Sequence, residues 1–311
     1  MRRFLALLLL VIAACSDDNP TAPAGSAQDP PPKFVTKWGL DGFDPGEFAN
    51  PDGVAAAPAG AIYVSDTGNH RIQRFDADGT YETEWGYLGV TDGLFYAPEA
   101  IAVDALGDLF VADTFNHRVQ KFDADGTYLG KWGSLGTALG EFNDPGAIAV
   151  DDSGHVFVAD RDNHRVQVFT SGAVYLRSWG TLGVDPGKFN TPRGLALDAS
   201  YHVYVTDTKN HRVQKFTSAG VFITAWGSQG AGNGQFEMPW GVGVDLAGNV
   251  YVADSQLNRV QKFTADGAFV TKWGSFGTGN AQFNFPTGVA VDATGAVYVT
   301  DSNNQRVQKF R

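Results

Sequence analysis

One position of this chain recurs six times at intervals of 47 residues, and its residue type changes every time. The six residues are Asp52, Glu99, Gly146, Arg193, Trp240 and Thr287. Carboxylates such as the first two can act as general bases or hold hard cations such as Ca²⁺. A ligand pocket needs a mixture of polar and aromatic side chains, so the six positions would form an asymmetric binding site if the fold brings them together.

Residues two places earlier in the repeat would extend such a site. Met238 and Phe285 would add an apolar wall. Asn50 and Asp144 hold the equivalent positions in two other repeats, and they would lie on the opposite side of the site if the repeats form a ring. The sequence thus predicts ligand-binding residues at Asp52, Glu99, Arg193, Trp240, Thr287, Met238 and Phe285. The alternative, which the sequence leaves open, is that exposed loop positions vary because nothing constrains them.

Other polar residues are the same in every repeat and are interpreted as scaffold. An aspartate closes the second strand of each unit and an arginine follows five residues later, as in Asp66 and Arg71. A single site would not need six copies, so we predict that these charge-assisted pairs stitch the turn or adjacent units.

Four histidines lie in the same turns: His70, His117, His164 and His211. At least one strand spacing of about 4.8 Å separates them from the inner strand, so they would diverge rather than surround a zinc ion at about 2.0–2.1 Å.

The same 47-residue period predicts the β-strands that position these residues. Six tryptophans and six phenylalanines keep it: Trp38, Trp85, Trp132, Trp179, Trp226 and Trp273, and Phe75, Phe122, Phe169, Phe216, Phe263 and Phe310. Each unit holds four short segments rich in β-branched and aromatic residues and bounded by turn residues, which predicts an antiparallel meander. One such unit cannot bury its apolar face alone, and a closed ring leaves only short, protected edges. The predicted fold class is all-β, a six-bladed β-propeller of four-stranded blades.

The two ends of the repeat region predict how the ring closes. The last unit stops at Phe310-Arg311, after its third strand, and lacks a fourth. The segment Phe34-Val-Thr-Lys-Trp38-Gly39 nearly duplicates Phe269-Val-Thr-Lys-Trp273-Gly274. We therefore expect the N-terminal strand to join the last blade as its outer strand.

Three short motifs resemble the NHL repeat. They are Pro-x-Gly-Val-Ala-Val-Asp, Val-Tyr-Val-Ala-Asp and Asn-His-Arg-Val-Gln-Lys-Phe, and the Asn-His-Arg block stands intact at Asn69, Asn116, Asn163 and Asn210. The resemblance covers all six units and implies a six-bladed propeller. Peptidyl-hydroxyglycine lyases are similar propellers in which histidines near the inner-strand entrance hold zinc. This chain has no histidine at the matching positions, so that zinc site and activity are not carried over.

The N-terminal region predicts export and anchoring. Arg2 and Arg3 precede an apolar run that ends at Ala14, too short to span a bilayer as a helix, so residues 1–14 read as a signal peptide. Val11-Ile-Ala-Ala-Cys15 resembles a bacterial lipobox, which implies lipidation of Cys15, and Ser16 after it implies outer-membrane delivery. Residues 15–32 contain five prolines and are predicted to be the lipidated N-terminus and a flexible linker. The propeller is predicted over residues 33–311.

Composition limits the partners. Loss of the signal would leave 21 basic and 34 acidic residues, a net charge of −13, which excludes the basic face that nucleic-acid binding requires. We expect a monomeric propeller on the periplasmic side or at the cell surface, in contact with the membrane through the lipid at Cys15. No cofactor is predicted, with Ca²⁺ or another divalent ion left as an alternative because of the acidic residues.

Loop length distinguishes two functional hypotheses. The upper face is defined here as the side that carries the loop entering the first strand of each blade and the turn joining its second and third strands. Six entry loops of equal length supply no lid, and an enzyme usually has an irregular loop that covers its substrate. The first hypothesis is a non-catalytic module that binds a peptide, protein or glycan on this face. The second is a metal-assisted lyase or hydrolase that uses Asp52 or Glu99 at the channel mouth.

Overall fold

A computed structural model describes residues 29–311, which form six four-stranded antiparallel sheets. The predicted signal peptide, Cys15 and most of the predicted linker lie outside the described residues. Blades one to three consist of β2 (Val54–Ala56), β3 (Ile62–Asp66), β4 (Arg71–Phe75) and β5 (Tyr81–Trp85); β6 (Pro98–Val103), β7 (Leu109–Asp113), β8 (Arg118–Phe122) and β9 (Tyr128–Trp132); and β10 (Pro145–Val150), β11 (His155–Asp160), β12 (Arg165–Thr170) and β13 (Tyr175–Trp179).

Blades four to six repeat this arrangement. They consist of β14 (Pro192–Leu197), β15 (Val203–Asp207), β16 (Arg212–Phe216) and β17 (Phe222–Trp226); β18 (Pro239–Val244), β19 (Val250–Asp254), β20 (Arg259–Phe263) and β21 (Phe269–Trp273); and β22 (Pro286–Val291), β23 (Val297–Asp301) and β24 (Arg306–Phe310) with β1 (Phe34–Trp38). Each inner strand contacts the inner strands on both sides, and β2 contacts β22. The ring is therefore closed, which confirms the six-bladed propeller.

A one-turn 3₁₀ helix joins the second and third strands of every blade. These turns span Thr67–Asn69, Thr114–Asn116, Arg161–Asn163, Thr208–Asn210, Ser255–Leu257 and Ser302–Asn304. Within residues 29–311 no helix has the length and apolar character needed to cross a bilayer.

The N-terminal strand completes the last blade, as predicted. β1 runs antiparallel to β24, with Phe34 opposite Phe310 and Trp38 opposite Val307. Backbone hydrogen bonds between Lys33 and Arg311, 2.7 and 2.8 Å long, extend the pairing beyond the strand. The chain thus enters the ring at the end of the last blade opposite to its upper-face turn.

The hydrophobic core lies between blades rather than at the axis. Each of the six apolar clusters draws residues from two adjacent blades. The entry-loop phenylalanine Phe48 is fully buried and contacts Phe75, whose ring also meets Trp38 of the preceding blade at 5.8 Å. Gly79, with φ +90°, faces the same indole, and a Cβ atom there would lie 2.5 Å from it. Fully burying one such phenylalanine contributes about 1.5–3 kcal/mol, so the recurring aromatics stabilise the blade junctions.

The recurring polar residues hold the entry loop of their own blade. The buried Asp66 carboxylate accepts hydrogen bonds from Arg71 Nε at 2.7 Å, Gln73 Nε2 at 2.9 Å and the backbone N–H of Ala49 at 2.7 Å. The Arg71 guanidinium then donates to three carbonyls of the entry loop, those of Phe43, Asp44 and Glu47. The aspartate–arginine pair is therefore a scaffold that fixes the loop and the turn, as predicted.

Candidate functional site

The variable column, defined as the positions Asp52, Glu99, Gly146, Arg193, Trp240 and Thr287, lies at the upper mouth of the central channel. In five blades the inner strand begins at the proline that precedes the column, so the variable residue is the second residue of its strand; in blade one, Asp52 lies just before β2. The cavity at this mouth, about 80 Å³ in volume, is lined by the side chains or backbone of Asp52, Glu99, Gly146, Arg193 and Trp240. Five of the six column positions thus share one cavity.

The other three predicted ligand-binding residues, Thr287, Phe285 and Met238, do not line the cavity. Thr287 is 2% exposed, and its hydroxyl bonds to the Asp52 carbonyl and to Thr300 Oγ1, each at 3.0 Å. Phe285 adopts a φ of 61°, and its ring packs edge-on against Trp240 at 5.4 Å. Met238 is half-buried and is not among the residues that line the cavity. Thr287 and Phe285 therefore support the walls of the cavity from behind.

Arg193 and Trp240, from neighbouring blades, form one stacked unit. The guanidinium carbon of Arg193 lies 4.0 Å from the centroid of the Trp240 ring, close enough for a cation–π contact. Burial and the nearby positive charge of Arg161 lower the pKa of Arg193, although it stays protonated at any physiological pH. The stack fixes the plane of the guanidinium at the channel mouth.

Arg161 is a site residue that the variable column did not reveal. Its guanidinium donates to Glu99 at 2.6 Å and to Asp144 at 3.1 Å, and its side chain is only 7% exposed. A Cβ atom at Gly146 would make only an ordinary contact with the Arg161 side chain, at 3.5 Å. Arg161 therefore ties two acidic residues of the rim together.

The sequence distinguishes Arg161 at another recurring position of the repeat, where the other five units have threonine or serine. The equivalent residues are Thr67, Thr114, Thr208, Ser255 and Ser302. At four of these positions the hydroxyl donates to the proline carbonyl of the next blade at 2.6–2.9 Å. Arg161 lacks this hydroxyl and turns towards the channel instead. Searching every column for departures from the repeat, rather than one, would have found it.

Asp52 has the most perturbed acidity in the cavity. Burial raises the pKa of Asp52 to about 7, and the negative charge of Glu99 adds to the rise. The positive charges of Arg193 and Arg161 and the hydroxyl of Thr287 oppose it. Asp52 thus changes protonation state near neutral pH, which is suited to a general base or to a hydrogen-bond donor in its neutral form.

The turn histidines position the rim rather than line it. His70, His117 and His164 each end a 3₁₀ turn with φ between 52° and 57°. Their Nδ1 atoms accept the backbone N–H of Ala97, Asp144 and Thr191 in the following blade, at 3.1–3.2 Å. In the described part of the chain no three His, Cys, Asp or Glu side chains come together as ligands for a metal ion.

Comparison with known proteins places this geometry in context. A family model described as NHL repeat matches residues 48–75, 95–122, 142–169, 189–216, 236–263 and 283–310. The B-box type zinc finger protein ncl-1 of Caenorhabditis elegans is 45% identical over 49 residues, which is 16% of this chain and 6% of that protein. The chain therefore spans only a small part of that relative's length.

Two enzymes of known structure share the fold at low identity. A gluconolactonase from Xanthomonas campestris is 18% identical with a TM-score of 0.64, over 94% of this chain and 99% of that one. A streptogramin B lyase is 12% identical with a TM-score of 0.61, over 89% of this chain and 96% of that one. At such identities the likeness extends to the propeller fold alone.

Proposed function

We propose that this chain, which belongs to the NHL repeat family, is a binding propeller that holds its ligand at the channel mouth of its upper face. The observation that carries the proposal is the convergence of the variable column on one cavity, while the residues that repeat in every blade form the scaffold. A cavity of about 80 Å³ is far below the ~300–1,000 Å³ of pockets that enclose a whole small molecule. It suits the end or a single side group of a larger ligand, such as a peptide, protein or glycan.

Exposed apolar residues on the upper face also support a macromolecular ligand. The loops that enter blades one and two present Leu40, Phe43, Tyr87, Leu88 and Val90, each at least 60% exposed. Exposed apolar groups that cluster on one face are typical of a surface that a partner covers. We propose that the ligand contacts these loops while a polar group enters the cavity.

The lipobox resemblance supports an exported lipoprotein anchored at Cys15, on the outer membrane and facing the periplasm or the cell exterior. The described chain enters the ring beside Arg311, at the end of the last blade opposite to its upper-face turn. An anchor on that side would leave the upper face accessible to a partner.

A second candidate function is a lyase or hydrolase with Asp52 as the general base. The pKa of Asp52 near 7 favours it, since a base works best when its pKa lies close to the working pH. The metal-assisted form fits the residues poorly, because Glu99 is already paired with Arg161 at 2.6 Å and Asp52 alone would remain as a carboxylate ligand. Loss of turnover in Asp52→Asn, with ligand capture retained, would favour the enzyme.

Capture of ligands from periplasmic extract tests the binding function. The purified propeller is immobilised beside its Arg193→Ala and Trp240→Ala variants, with Lys209→Ala as a matched control because Lys209 is exposed on an upper-face turn of the same blade as Arg193. We expect the two cavity variants to lose a captured species that the control retains. Unchanged capture by all three variants contradicts binding at the channel mouth.

A further inference from the structure

We propose that the cavity binds a carboxylate presented by a peptide, and that Arg193 is the group that recognises it. This inference rests on the proposed binding function and names the chemistry of its ligand. Three observations support it: Arg193 has no anionic partner in the described chain, Glu99 is paired with Arg161, and the Trp240 ring is covered by Arg193 and Phe285.

Arg193 is a partly buried cation without an anionic partner in the described chain. No carboxylate of residues 29–311 lies within 4.0 Å of its guanidinium, whereas Arg161 in the preceding blade is neutralised by Glu99 and Asp144. A desolvated charge is unfavourable unless it is paired. An anion that enters the channel mouth would supply this pairing, and the planar fork of arginine matches the two oxygens of a carboxylate.

The acidic residues of the cavity do not prevent such an anion from binding. Glu99 is compensated by Arg161 at 2.6 Å. Asp52 belongs to blade one, which faces blade four and Arg193 across a ring of six. In its neutral form the Asp52 carboxyl can donate a hydrogen bond to a bound carboxylate, so the two walls of the cavity would hold the same group.

Trp240 and the charge balance favour a carboxylate over other groups. One face of the indole is covered by Arg193 at 4.0 Å, and Phe285 packs against the ring at 5.4 Å. The indole is thus not a free stacking platform for a sugar ring. A phosphate monoester, with its second negative charge close to Glu99 and Asp52, would be repelled more strongly than a singly charged carboxylate.

The peptide carboxylate can come from a C-terminus or from an acidic side chain. N-acetylglycine represents the first source and N-acetylglutamic acid α-amide the second, with neutral N-acetylglycinamide as the control compound. Binding is followed through the indole N–H signals of ¹⁵N-labelled protein by NMR. The signal of Trp240 is assigned by its loss in Trp240→Phe, and the six tryptophans between blades serve as internal references.

We expect a saturable shift of the Trp240 signal with one or both carboxylates. N-acetylglycinamide should bind at least about tenfold more weakly, and Arg193→Gln should lose at least about tenfold in affinity for the carboxylate. Binding should also weaken about tenfold between about pH 6 and about pH 8, because deprotonation of Asp52 with a pKa near 7 removes the donor and adds a negative charge. The charged groups that face Asp52 are Glu99, Arg193 and Arg161.

The outcomes separate this inference from the proposed function. If N-acetylglycinamide shifts the Trp240 signal as strongly as N-acetylglycine, the cavity binds ligands without reading a carboxylate, and only this inference fails. If no compound shifts the signal at concentrations well above millimolar, the carboxylate proposal is also overturned, while loss of capture from extract by Arg193→Gln would still support binding at the channel mouth. If capture is unchanged as well, both proposals fail.

Discussion

The Glu99 carboxylate lies 2.6 Å from the Arg161 guanidinium, and the two residues come from adjacent blades. At four other blade junctions the residue equivalent to Arg161 is a hydroxyl that bonds a proline carbonyl. Arg161, in blade three, thus lacks the hydroxyl that would bond the following blade and instead forms an ion pair with Glu99 of the preceding blade. It places a positive charge between Glu99 and Asp144 at the channel mouth.

Replacing Arg161 by threonine should destabilise the protein even though threonine is the common residue at this position. The change leaves Glu99, 13% exposed at its side chain, and Asp144 without their partner, at an expected cost of about 1–3 kcal/mol in the free energy of unfolding. Urea denaturation measures this cost. The double variant Arg161→Thr with Glu99→Gln should recover part of the loss, and strictly additive losses would show that the two side chains are not coupled.

Stability should fall as the pH rises from about 4 to about 7. The folded state raises the pKa of Asp52 from 3.8 to about 7, so in this range the folded protein holds a proton that the unfolded chain has released, and each further rise in pH favours unfolding. The loss is at most about 4 kcal/mol, and less because Asp52 is coupled to Glu99. Urea unfolding of Asp52→Asn, compared with the wild type at several pH values, should show a flatter dependence; parallel curves would contradict the assignment to Asp52.

Two tryptophan-to-alanine substitutions should affect different properties, one the stability of the protein and the other its ligand binding. Trp273 is 7% exposed and contacts Phe310 and Tyr251 between blades, so Trp273→Ala should cost about 3–5 kcal/mol. Trp240→Ala removes the contacts with Arg193 and Phe285, of which the first is worth about 1 kcal/mol, and should chiefly impair binding. Chemical denaturation and ligand capture together separate the two roles, and equal destabilisation by both would show that Trp240 is a core residue.

Removing the N-terminal strand should weaken the whole ring. A chain that starts at Leu40 lacks β1 and therefore the pairing of Phe34 with Phe310 and of Lys33 with Arg311. A matched chain that starts at Pro30 keeps these contacts. Scanning calorimetry should show a lower and broader transition for the shorter chain alone, and superimposable transitions would mean that β1 does not hold the ring closed.

A side chain at Gly146 should block the cavity without unfolding the protein. Gly146 lines the channel mouth, and a Cβ atom there makes only an ordinary contact with Arg161, at 3.5 Å. Gly146→Gln should therefore abolish capture with little change in melting temperature. Gly130→Gln is the control, because Gly130 lies on an outer strand with open space around it, and loss of capture there would indicate a general effect.

Most of the fold was predictable because the 47-residue period applies to sequence and structure alike. The placement of β1 also followed from the sequence, since the duplicated Phe-Val-Thr-Lys-Trp segment identifies the missing outer strand. Conformations that differ within one column were not predictable. Phe285 packs its ring against Trp240 instead of lining the cavity, and Thr287 is buried because its small hydroxyl reaches the Asp52 carbonyl.

Only some of the charged residues of the site were predictable from the sequence. Asp52, Glu99, Arg193 and Trp240 depart from the repeat in one column and do meet at one cavity. Arg161 comes from another column and reaches Glu99 and Asp144 because its side chain is long and directed towards the channel. Such a contact depends on side-chain length and direction, which the spacing of residues along the chain does not encode.

Five blades each contribute their column residue to the cavity wall through the same backbone frame, so the wall can be varied one blade at a time. An exchange of one blade for another, or of one residue in the column, alters a single sector and leaves the other five in place. Duplication followed by single substitutions could thus generate many specificities on one ring, and libraries randomised at these five positions would sample them without remaking the scaffold.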